Sequence, residues 1–310
     1  MLSPSLVEAG VLAVQYVIAV IGCINNCIIL IVFARYKQVH KHTQFTCLWV
    51  LAIFDLLRLA LGPLHHVSDL IVKWGVIEHL SRLHCTIITT PVLFAADMGL
   101  RILAVIPFDR LLAALRPIQY RTVYNHKKRQ LIAIGGLIVI TLFDRVVLIF
   151  TQLEQPYDLV DDCSQPMRLL TAWYLQFALV QRLLFIGLLL VGSILMLYVS
   201  TKKFAVTTQL YGQAAGSTAM IEAKRRHKEY NKIVLKSVSS ALVLYCIPVI
   251  LAIIVRAKLP AYNNVVLRLH RLGVELTAAI NIFIYIGNHE DFKVCVKRLL
   301  CGSNPSNHNA

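Results

Sequence analysis

Long apolar runs alternate along this chain with short polar stretches. A helix that crosses a bilayer needs about 20 mostly apolar residues. Seven runs meet that need, at 9–34, 44–67, 86–108, 130–151, 171–199, 233–256 and 266–287, numbered here as spans 1 to 7. Span 2 carries Asp55 and Arg58, span 4 Asp144 and Arg145, and span 5 Arg182, so the ends of these three are less sharply drawn. Backbone polar groups in hydrocarbon must be satisfied within the segment, which predicts helices packed as one bundle. A barrel would show alternating segments of about 10 residues, and none repeats here. The pattern therefore predicts an all-α fold, a seven-transmembrane helix bundle. After span 7, DFKVCVKRLLCG has the spacing of a short amphipathic helix lying on a membrane surface. The expected division is a tail over 1–8, the bundle over 9–287, and an amphipathic helix with its tail over 288–310.

Composition supports this pattern. Of 310 residues, 57% are hydrophobic and only 15% charged. A water-soluble fold of this size needs more polar surface to cover its core, and a bilayer removes that need. The first run is too long for a cleavable signal peptide and lacks a basic region before it, so an uncleaved anchor is expected. Lys and Arg cluster after spans 1, 3, 5 and 7: Arg35, Lys37 and Lys41; Arg116 to Arg129; Lys202 to Lys228; Lys293, Lys297 and Arg298. The opposite loops are poorer in both, with the loop before span 7 a mild exception. This asymmetry predicts a multi-pass plasma-membrane protein with its N-terminus outside and its C-terminus in the cytosol. The net charge of +15 is split among separate loops. That reads as a topology signal with anionic lipid as a partner, and no nucleic-acid partner is expected.

Eight cysteines are present. Cys23, Cys27, Cys47 and Cys246 fall inside spans and read as small packing residues. Cys85 at the outer start of span 3 and Cys163 in DLVDDCSQP both face an oxidising compartment, where a disulfide forms readily. Two independent loop thiols are the alternative. Cys301, beside basic residues at the end of the amphipathic segment, is a candidate lipidation site, with an unmodified thiol as the alternative.

Ionisable groups at membrane depth are costly and mark pairing or function. Asp55 and Arg58 share nearly one helix face, and Asp97 and Arg101 have the spacing for an i,i+4 pair. Arg182 and Glu275 stand in spans 5 and 7. Pro63, Pro91, Pro107 and Pro248 interrupt spans and favour kinks, which is a static bend or, at Pro248, a lever for the inner end of span 6. No HExxH, GxSxG or His/Asp set at metal spacing occurs, and His65-His66 reads as an interface pair. No enzyme activity, cofactor or metal is expected.

In order along the chain, several segments resemble the rhodopsin-like G protein-coupled receptors. GCINN carries Asn26, LAIFD carries Asp55, and FDRLLAALRPIQY carries Asp109 and Arg110. Cys85 precedes Arg110 at the family's usual interval, and NIFIY carries Asn281 and Tyr285, with Phe292 after it. The resemblance covers about residues 10–300. It departs from the family at Leu111, Ile282, Gly135-Gly136 and Cys246, where Tyr, Pro, Trp and Trp are usual. Gly99 and Thr277 replace polar helpers of an internal sodium ion, Val92 replaces the amine-binding Asp, and Glu275 stands at the retinal-lysine position. Sodium, aminergic ligands and retinal are therefore disfavoured. The wording DRLLAALRPIQY and the short N-terminus look most like nematode serpentine chemoreceptors of the srsx type.

The resemblance implies a receptor that converts binding of a small-molecule or peptide ligand into activation of a heterotrimeric G protein. Asp109, Arg110, Tyr198 and Tyr285 would serve coupling, with Asn26, Asp55, Pro248 and Asn281 as activation switches. The Cys85–Cys163 disulfide would brace the outer face. Ligand-binding candidates in the outer half are Val92, Asp97, Arg182, Tyr245, Arg271 and Glu275. A polytopic transporter or channel is the alternative, although no internal repeat supports it.

Overall fold

The computed structural model describes residues 4–36, 46–63, 80–115, 126–153, 159–160, 172–211, 272–288 and 290–301, with scattered positions between 235 and 254. Span 1 is the helix Pro4–Arg35, span 2 Thr46–Leu61, span 3 Arg82–Leu115, span 4 His126–Gln152 and span 5 Ala172–Tyr211. Span 7 is the apolar helix Leu272–Gly287, with a turn at Ile280 before its last part, Asn281–Asn288. A C-terminal helix, Glu290–Cys301, follows. Most of the sixth run lies outside the described residues, Tyr245, Cys246 and Pro248 among them.

Four of these helices contain stretches long and apolar enough to cross a membrane: Ala13–Arg35, Arg82–Ala113, Lys128–Gln152 and Gln176–Val199. Their outer faces carry large apolar side chains in the open, among them Ile132, Val139, Phe143 and Phe150 on span 4 and Val180 and Ile194 on span 5. Patches of that kind are untenable in water and ordinary against lipid. The chain is a multi-pass membrane protein.

Span 3 is the axis, packing against spans 2, 4 and 5, while span 1 packs on span 2. Pro91 and Pro107 sit inside its helix, which runs on past both from Arg82 to Leu115. Span 2 is shorter than its apolar run. Its helix ends at Leu61, where the Gly62 amide donates to the Arg58 carbonyl at 2.8 Å and Pro63 follows. Proline cannot donate the next helical hydrogen bond, so Pro63 stands past a helix end and kinks nothing.

Among the described residues the fold is all-α apart from one small ladder. Leu80–Ser81 pairs antiparallel with Leu159–Val160, tying the start of span 3 to the loop after span 4. The C-terminal helix has Glu290 and Asp291 in its first turn and Arg298 in its last, which suits the helix dipole. It turns Phe292, Cys295 and Val296 inward. The Phe292 ring lies 5.6 Å from Tyr285 of span 7 and 5.9 Å from Phe33 of span 1, which docks the helix under both.

Candidate functional site

At one end of span 3, Arg110 is only 2% exposed. Its Nη2 donates to the adjacent Asp109 carboxylate. Two residues from the first turn of span 4 grip the same carboxylate: Arg129 Nη2 at 2.9 Å and Gln130 Nε2 at 3.0 Å. A buried guanidinium is thus held beside a carboxylate that a neighbouring helix also binds. Gly192 of span 5 passes close by, and a Cβ there would meet the Phe108 ring at 2.9 Å. Tyr285 is buried at this end against Phe292. Tyr198 is 55% exposed, with the Lys202 ammonium 4.8 Å over its ring. Sequence reasoning found Asp109 and Arg110, but not the grip from Arg129 and Gln130.

Midway along span 3, about 18 Å from Cys85 and about 20 Å from Arg110 by helical rise, lies a buried charge network. The expected i,i+4 pair between Asp97 and Arg101 does not form. Asp97 instead accepts from Arg145 of span 4 and, at 3.4 Å, from Arg182 of span 5. Arg101 donates to Asp144 of span 4, to Thr141 Oγ1 at 2.7 Å and to Gln181 Oε1 of span 5 at 3.0 Å. Gln181 Nε2 returns a bond to Asp144 Oδ1 at 3.0 Å, and the Tyr174 hydroxyl donates to the Asp144 carbonyl at 3.1 Å. The Arg101 guanidinium also lies 5.1 Å from the Phe185 ring centre. Opposite charges on spans 3 and 4 therefore face each other twice, and span 5 closes both pairs. An intrahelical pair would have stranded Asp144 and Arg145 in the bundle, whereas the crossed arrangement satisfies all four charges. The signal in the sequence was the Asp144-Arg145 dipeptide inside an apolar run, but register between helices cannot be read from one strand of text.

A third polar group joins spans 1, 2 and 7. Asn281 Nδ2 donates to Asp55 at 2.7 Å. Asn26 Nδ2 donates to the carbonyls of Gly22 at 2.9 Å and Ala278 at 3.1 Å, and Asn25 Nδ2 to that of Ala279 at 2.9 Å. Gly22 makes the approach possible, since a Cβ there would meet Leu59 Cδ1 at 2.6 Å and Ala279 at 3.2 Å. Asn26, Asp55 and Asn281, predicted from separate segments, are brought together; Asn25 was missed.

At the Cys85 end, Cys85 is disulfide-bonded. Its predicted partner, Cys163, lies outside the described residues, as does Arg271. Val92 and Glu275 are half-buried, on spans 3 and 7. Of the ligand candidates, only Asp97 and Arg182 are brought together in a described pair.

A bundle of apolar helices around a central span, with an amphipathic helix docked at one end, is the architecture of a polytopic helical membrane protein. The sequence profile of the seven-transmembrane receptor (rhodopsin) family matches residues 25–284, and the chain belongs to that family. It is a receptor family and not an enzyme family. Comparison with curated proteins finds none that matches the chain.

Proposed function

We propose that the chain is a chemosensory receptor of the plasma membrane that couples an external ligand to a heterotrimeric G protein. The N-terminus and the Cys85 end face outward, and the Arg110 end faces the cytosol, as the Lys and Arg asymmetry of the loops indicates. The observation that carries the reading is the clamp at Arg110. A permanent charge is buried at the mouth of the central helix, held by Asp109, which spans 3 and 4 share. Such a charge becomes available to a partner only when the inner ends of the helices part.

The agonist site lies in the outer half of the bundle. Arg182 and Glu275 lead the candidates, with Val92, Tyr245 and Arg271 beside them; Asp97 is engaged by two arginines and acts through them. An agonist shifts the receptor by its differential affinity for the open and closed states, and a coupling of about 1–3 kcal/mol is usual. The Cys85–Cys163 disulfide braces this face, an assignment supported by the ladder that brings Val160 beside Leu80. The wording around Arg110 supports a likeness to the srsx-type chemoreceptors of nematodes. Cys301, exposed at the end of the C-terminal helix, is the lipidation candidate.

The test is a chemical screen in cells that co-express a promiscuous G protein. Arg110→Ala should abolish agonist-stimulated nucleotide exchange, with surface level and ligand binding largely kept. Full signalling by that variant would refute the coupling role.

A further inference from the structure

Asp55 is buried among spans 1, 2, 3 and 7, where a lone carboxylate is costly and calls for a cation or a proton. Among the described residues its polar neighbours are few. Asn281 donates to Oδ2 at 2.7 Å. Facing Oδ1 across span 3 is Gly99, whose added Cβ would lie 3.8 Å away, so span 3 offers no side-chain oxygen there. The Thr277 hydroxyl of span 7 is committed to its own helix, donating to the Gly273 carbonyl at 2.8 Å. The positive charge comes from the same helix: Arg58 Nη2 lies 3.6 Å from Asp55 Oδ1. That nitrogen also donates to the Val274 carbonyl of span 7 at 2.5 Å. Arg58 is itself buried.

We propose that Arg58 is the resident counter-cation of Asp55, taking the place that a monovalent metal ion would occupy beside a buried carboxylate and tying spans 2 and 7 together as it does so. A guanidinium keeps its charge at every physiological pH. The neutralisation is therefore permanent and independent of external salt. A mobile ion can leave when the bundle rearranges, but Arg58 is anchored through its own backbone. Because its Nη2 also bonds the Val274 carbonyl, parting span 7 from span 2 breaks the contact. The resting state is thereby keyed to the geometry of these two helices. The assignment stands on spans 2, 3 and 7 alone and needs neither a ligand nor a G protein to be tested.

The experiment uses the full chain, purified in detergent and reconstituted in lipid nanodiscs. Its thermal unfolding midpoint is followed as sodium chloride replaces choline chloride at constant ionic strength. The unmodified chain should show a flat midpoint. Arg58→Leu should lower the midpoint in choline by about 10 °C and recover part of the loss as sodium rises, in a saturable way. Arg58→Lys, which keeps a charge, should remain flat across the exchange. Asp55→Asn combined with Arg58→Leu should regain most of the midpoint and also be flat. A saturable sodium response in the unmodified chain would overturn the proposal. So would equal, salt-indifferent losses in Arg58→Leu and the double variant, which would make Arg58 a packing residue only. If Arg58→Leu cannot be recovered in any salt, the lysine and double variants decide: both folding with flat midpoints upholds the assignment, and failure of either overturns it.

Discussion

At the scale of single residues, the clamp on Arg110 shows how little is needed to hold a charge in reserve. Among the described residues, Asp109 accepts from Arg110, Arg129 and Gln130. Asp109→Asn removes the anion that holds Arg110 and Arg129. Under the proposed coupling role, it should raise ligand-free nucleotide exchange several-fold at equal surface level, and unchanged basal exchange would argue against the clamp. The two cysteines of the C-terminal helix make a second contrast. Burial pushes the Cys295 thiol up, while Arg298 pulls against the shift and Asp291 adds to it. The folded form thus keeps its proton where the unfolded chain has begun to lose one. What that burial contributes to stability is whole below the ordinary thiol range and drains away as pH climbs through the raised value. Alkylation needs the thiolate. After hydroxylamine has cleaved any thioester-linked lipid, iodoacetamide at about pH 8 should therefore label exposed Cys301 well before Cys295, with the difference erased on unfolding. Equal native rates, followed by mass spectrometry of the peptides, would contradict the buried placement.

Among elements, spans 3 and 4 are joined by two crossed ion pairs. Removing one member of a buried ion pair costs about 3–5 kcal/mol, because its partner is left uncompensated. Arg101→Leu and Asp144→Leu should each lower stability by about that much, and the double variant by clearly less than their sum. Unfolding by denaturing detergent, compared across the four chains, measures the coupling; strict additivity would mean that the two side chains do not depend on each other. This is also where sequence reading reached its limit. Asp55, Asn26 and Asn281 were legible because a polar residue stands out in an apolar run and each lies in a recognisable segment. Asp97 and Arg101 were legible as charges, but their partners were not. Local spacing offered an intrahelical pair, and the neighbouring helix offered a better one. The end of span 2 was legible in principle, since Gly62-Pro63 is a stop signal that the apolar residues beyond it masked.

Across the whole molecule, spans 3, 4 and 5 are fastened at mid-depth by charge, spans 1 and 7 by asparagine amides on backbone carbonyls, and spans 2 and 7 by the Arg58 guanidinium on the Val274 carbonyl and by Asn281 on Asp55. The overall class was readable from hydropathy alone because lipid imposes one solution on any long apolar run. The fastenings were not readable, because they depend on which faces meet. They also bear on how the protein is made. Threading Asp144 and Arg145 singly into hydrocarbon costs about 2.5–3.5 kcal/mol apiece at the centre of a helix. During synthesis, the segment bearing Asp97 and Arg101 emerges from the ribosome first, so complementary charges already wait in or beside the translocon when Asp144 and Arg145 arrive. The order of the chain suits such a sequential handshake, since the third helix is made before the fourth whose charges it pairs.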